Sequence, residues 1–130
     1  MRRLPMLMLL AGLGGCAAPA PQAGGAPQRY FVFFQQWSAA LDDSANQVIG
    51  AAAAQAKAQP GAPVRVVGYA DPTGSAQANI QLSQLRAQVV ADGLATDGIG
   101  PARIARSARG ATSFEGTSQE SRRVEIDVGP

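Results

Sequence analysis

The order of strand-like and helix-like segments predicts an α+β fold, an α/β sandwich in which strands alternate with helices that pack against one sheet. Three observations carry this. Val64 to Leu94, VRVVGYADPTGSAQANIQLSQLRAQVVADGL, reads as a buried strand, a tight turn and a long amphipathic helix. Before it, the apolar run Arg29 to Phe34 leads to an Ala-rich helix over Asp42 to Ala58. After it, Arg122 to Val128 alternates apolar and charged residues with the period of a half-buried strand. With a strand over Ile104 to Gly110 and a short helix from Ser118, the order is β-α-β-α-β-(α)-β.

Arg29 to Phe34 is nearly continuous in apolar residues, which predicts burial on both faces. Phe31, Phe33, Phe34, Trp37 and Tyr69 are expected to do much of the packing, because the rest of the hydrophobic content is dominated by Ala. The first helix starts at Asp42 or Ser44, buries Leu41, Ala45, Val48, Ala52 and Ala56, and stops at Gln59-Pro60-Gly61. In the central strand Val64, Val66 and Gly68 share one face, and Arg65, Val67 and Tyr69 the other. Pro72 and Gly74 make the turn, and Ser75 suits the N-cap. Thr96-Asp97-Gly98 ends the second helix. In the last strand Val124, Ile126 and Val128 point inward, while Arg123, Glu125 and Asp127 point out. Phe114 is expected to insert into the core, and Arg106 and Arg109 to form a solvated edge.

The second helix carries an anomaly. At about 100° per residue, Gln77, Gln81, Gln84, Gln88 and Asp92 gather on one solvent face. The opposite face holds Leu82, Val90 and Leu94, but also Asn79, Ser83 and Arg86. An unpartnered buried guanidinium costs several kcal/mol, roughly the effective penalty for desolvating an ion. Two readings follow. Arg86 forms an internal ion pair with Asp71, Glu125 or Asp127, or it floors a wet cleft with Asn79 and Ser83, rimmed by Asp71. In the second, one acid and one base side by side suit a zwitterion: Asp71 for an ammonium, Arg86 for a carboxylate bound by its planar fork.

GYADPTGSAQANIQLSQLRAQVV resembles the peptidoglycan-binding signature of the OmpA C-terminal domain family. Gly68, Tyr69, Asp71, Gly74, Asn79, Leu82, Ser83, Arg86, Ala87 and Val90 fall on its pattern. The likeness runs from about Tyr30 to Val128, through Gly98-Ile99 and Arg122-Arg123-Val124-Glu125-Ile126. Ala70, where the family usually has Thr, and Ser121, where Asn often precedes the two arginines, depart from it. The resemblance implies one mixed four-stranded sheet with the helices on one side. It also implies that Asp71 and Arg86 grip the zwitterionic end of diaminopimelate in a peptidoglycan stem peptide. Asn79 would support the wall or touch the ligand, and Arg122 or Arg123 would add a second positive charge.

Residues 1–15 read as an export signal: Arg2-Arg3, then a short apolar stretch. Leu13-Gly14-Gly15-Cys16 resembles a bacterial lipobox, which implies cleavage before Cys16 and lipids on its thiol and amine. Ala17 after the Cys favours the outer membrane in the lipoprotein sorting pattern. Residues 16–28 are the acylated Cys and a Pro/Ala/Gly linker, reaching about 40 Å when stretched. Residues 29–130 are the binding domain. Cys16 is the single cysteine, so no intramolecular disulfide forms. The formal charge is +2, matching Arg2 and Arg3, both within the expected signal. The mature chain is then neutral, and the basic balance is no argument for nucleic-acid binding.

The sequence therefore predicts a lipid-anchored module that tethers the outer membrane to peptidoglycan, with no cofactor and no metal. A hydrolase would need an acid/base pair or an activated nucleophile. The chain has no His, and Ser83 near Asp71 lacks an evident base. A phosphate cradle at Thr73-Gly74-Ser75 is opposed by the negative charge of Asp71. A periplasmic scaffold for protein partners in an envelope-spanning complex stays open beside wall binding.

Overall fold

The computed structural model describes residues 26–112 and 118–130. The expected signal, Cys16, most of the linker and Phe114 lie outside them. The chain runs β1 (Gln28–Phe33), α1 (Asp43–Ala58), β2 (Val64–Ala70), α2 (Ala76–Thr96), a 3-10 turn (Pro101–Arg103), β3 (Ile104–Ala111), α3 (Ser118–Ser121) and β4 (Arg123–Val128). One mixed sheet has the order β1-β4-β2-β3. β4 is antiparallel to both β1 and β2, and β2 is parallel to β3. This is the expected α+β architecture.

The core lies between α1, α2 and one face of the sheet. Val32 and Phe34, Val64 and Val66, and Val124, Ile126 and Val128 meet Ile49, Ala52, Ala53, Ala56, Val90 and Leu94 there. Asp42 caps α1, its carboxylate accepting from the Ala45 amide at 2.7 Å. The small side chains of α1 let it settle close to the sheet. At the crossing of β2 and α2, contact is closer still. A Cβ on Gly68 would lie 2.0 Å from the Ser83 carbonyl oxygen, so only glycine permits this approach. A bulge between Gly68 and Tyr69 shifts the β2–β3 register just before the strand ends.

One expectation about β1 fails. Phe31 and Phe33 are 39% and 40% exposed, with ring centroids 6.4 Å apart. No layer covers that face of the sheet among the described residues, so only Tyr30, Val32 and Phe34 turn inward. Trp37 is also outside the core, at 52% exposure. In α1, Ile49 and Ala53 are buried whereas Val48 is only half-buried.

Candidate functional site

Asp71 follows directly on Ala70, at the end of β2, where the chain leaves the sheet. Its Oδ1 accepts from the Thr73 amide at 3.1 Å, which folds the turn back on itself. Gly74 completes the turn with φ +90°, a conformation that suits glycine. Ser75 then accepts from the Ala78 amide at 3.1 Å and opens α2. On α2 the polar stripe faces inward as expected: Asn79, Ser83 and Arg86 are each buried.

Each of the three is held differently. Ser83 donates to the Ile80 carbonyl at 2.8 Å and accepts from the Gly110 amide at 3.0 Å, fastening α2 to β3. Asn79 donates to the Thr73 carbonyl at 3.0 Å, but its Oδ1 is buried without a hydrogen-bond partner among the described residues. Arg86 donates from Nε to the Ser38 carbonyl at 2.8 Å, from Nη1 to Tyr69 at 3.1 Å and from Nη2 to Gln35 at 3.0 Å. Its guanidinium carbon also lies 5.2 Å from the Phe34 ring centroid. Burial pulls its pKa down to about 10, against the field of Asp71, which raises it. Arg86 is therefore a cation at neutral pH, solvated by backbone dipoles.

The expected internal ion pair does not form. Each acid considered for it has another arginine: Asp71 meets Arg122 at 3.4 Å, Glu125 meets Arg123 at 3.0 Å, and Asp127 meets Arg29 at 2.8 Å. The alternative of an open cleft is also corrected, since Asp71, Asn79, Ser83 and Arg86 are all buried. Among the described residues, surface hollows of about 270–400 Å³ lie along α2 and β3 and between β1 and α1. Burial acts to raise the pKa of Asp71. The Thr73 amide and hydroxyl and the Arg122 guanidinium outweigh it, and the carboxyl stays below its ordinary value.

Strand alternation separates the two candidate arginines. Arg122 precedes β4 and turns toward Asp71, also donating to the Phe34 carbonyl at 3.0 Å and the Ser118 hydroxyl at 3.3 Å. Arg123 lies on the face away from the helices, yet it is buried there rather than solvent-facing as expected, 4.1 Å from the Tyr69 ring centroid. Sequence reasoning missed the carbonyl cage around Arg86, because backbone acceptors leave no side-chain signal. The arrangement joins a carboxylate, a long and weak arginine contact, an unfilled amide acceptor and a cation with no carboxylate contact among the described residues.

This chain resembles known proteins in both sequence and fold. It is 36% identical over 106 residues to the probable lipoprotein YiaD of Escherichia coli K12, covering 76% of this chain and 48% of that one. The chain thus spans about half the length of that relative. Among solved structures, the OmpA-like domain of FopA1 from Francisella tularensis superposes with a TM-score of 0.71 at 25% identity, covering 77% of this chain and 70% of that one. The peptidoglycan-associated lipoprotein of Burkholderia pseudomallei gives 0.67 at 23% identity, with 76% and 88% covered. At 19% identity, a periplasmic domain of Helicobacter pylori MotB shares the fold, with a TM-score of 0.67 and 83% and 79% covered. A family model described as the OmpA family matches residues 33–125, and this chain belongs to that family.

Proposed function

We propose that this chain is a non-catalytic peptidoglycan-binding lipoprotein of the outer membrane, anchored through Cys16, with its domain in the periplasm. The observation that carries the reading is that Asp71 and Arg86 are buried near enough for the field of one to act on the other, yet form no ion pair. Membership of the OmpA family and likeness to a peptidoglycan-associated lipoprotein support it. Asp71 takes the ammonium of a diaminopimelate side chain and Arg86 its carboxylate. The Oδ1 of Asn79 accepts a ligand N–H that it lacks in the free protein. Arg122 holds Asp71 through a long contact, so an incoming ammonium displaces it, and its guanidinium is then free to meet the ligand carboxylate.

This makes the free protein a closed form. Binding exchanges one cation for another at Asp71 and brings to Arg86 the anion that the fold withholds. The exchange offsets the desolvation cost that a buried charge otherwise imposes.

Co-sedimentation with sacculi containing diaminopimelate tests it. Asp71→Asn, which keeps the shape of the side chain, is expected to lose at least about tenfold in binding, since a charge-assisted contact contributes about 1.5–3 kcal/mol. Sacculi with amidated diaminopimelate are expected to bind more weakly through Arg86. No soluble muropeptides are expected to appear. Full binding by folded Asp71→Asn would place the site elsewhere, and release of muropeptides would make the chain a hydrolase.

A further inference from the structure

Trp37 has no role in the core and an unusual backbone. It occupies the third position of a turn closed by the Ser38 amide donating to the Gln35 carbonyl at 3.1 Å. Its φ is +56°, and no other non-glycine among the described residues has a positive φ. A bulky side chain is disfavoured there, where glycine or asparagine fits. Strain of this kind, once observed, points toward function.

The position of the indole gives that function content. A Cβ placed on Gly74 would come within 2.5 Å of Trp37 Cη2, so the ring lies directly on the Asp71–Gly74 turn. About half of the residue still faces solvent. The carbonyls on either side of it, those of Gln35 and Ser38, are two of the three that Arg86 holds. The buried guanidinium thus fixes the turn that presents the indole, and the indole rests on Gly74, in the same turn that Asp71 opens.

We propose that Trp37 is the aromatic wall of the site, laying its indole over the ammonium and adjoining methylene of a ligand whose ammonium is held by Asp71. The assignment rests on the function proposed above and extends it. Tryptophan is the best of the aromatic residues for this contact, because its face carries the strongest negative potential. It also explains why the strained position is filled by an exposed ring.

Trp37 is the single tryptophan of the chain, so its fluorescence reports on the site alone. The purified full chain is titrated with a disaccharide tetrapeptide containing meso-diaminopimelate, with the lysine-containing counterpart as control. A saturable change in tryptophan emission is expected, with the midpoint of sacculus binding. Trp37→Gly is expected to weaken binding roughly three- to tenfold, while its melting temperature stays level or rises as the strain is relieved. Trp37→Phe is expected to recover part of the loss. Should Trp37→Gly fail to fold, Trp37→Asn replaces it, and emission from the unmodified chain decides independently. Emission that ignores the ligand, or Trp37→Gly binding as tightly as the parent, overturns the inference. Binding that needs Asp71 but not Trp37 removes this inference alone. Binding indifferent to Asp71 removes the function it rests on.

Discussion

Arg86 and Arg123 solve the same problem on opposite faces of one sheet. Arg123 is buried on the face away from the helices, against the Tyr69 ring, with Glu125 beside it at 3.0 Å. Its charge is balanced locally, and Arg29 with Asp127 repeats the pattern one row along. Arg86, fully buried on the helix side, is met among the described residues by three carbonyl oxygens and no acid. Carbonyl dipoles solvate a cation without cancelling it. The face away from the helices is thus electrostatically finished, and the inner nest is not. The proposed capture of a ligand carboxylate by Arg86 relies on that difference.

The contrast can be broken at several points. Removing Arg86 takes a donor from each of three carbonyls and leaves a large void. Arg86→Ala is expected to cost about 3–5 kcal/mol, seen as a lower denaturant midpoint at unchanged slope. Binding assays on that variant therefore need a folding control. Next comes Gly68→Ala, whose methyl would meet the Ser83 carbonyl. It is expected to cost about 3 kcal/mol, enough to part α2 from β2 and weaken ligand binding through a residue that touches no ligand.

A smaller effect sharpens the role of Asp71. Its folded pKa lies below the ordinary 3.8. A depressed acid contributes stability above the unfolded value and loses it as pH falls through the folded value. The parent protein should therefore exceed Asp71→Asn in stability at neutral pH, and the gap should close only as pH drops below 3.8. Equal acid limbs in thermal melts of the two proteins would contradict this. Smallest of all, Arg29→Ala removes a half-exposed partner of Asp127 and is expected to cost less than about 0.5 kcal/mol, most of it absent in high salt.

Much of this is legible in the sequence alone. The glutamine face of α2, the Asp42 and Ser75 caps and the inward valines of β4 follow from periodicity and capping chemistry, which act locally. The buried polar stripe of Asn79, Ser83 and Arg86 was visible for the same reason. What Arg86 binds was not. Its acceptors are backbone atoms of residues 35, 38 and 69, brought together only by the fold. The exposure of Phe31 and Phe33 was hidden for another reason. A continuous apolar run looks the same whether one face of its sheet is covered or two. Size alone places Trp37 in the core, because sequence does not show a left-handed turn at a residue that disfavours it.

The sheet has two ends, and they are far apart in purpose. Gln28, Val128, Val64 and Ile104 stand level at one end. Asp71 leaves β2 beyond the other, about 20 Å away at the usual rise of a strand. A chain held at its amino-terminal side and gripped at Asp71 would be pulled along the length of β1 and β2. The hydrogen bonds joining β1 to β4 and β4 to β2 run across that direction. Mechanical load would then strain them in parallel, sideways and all together, rather than peeling them open one by one.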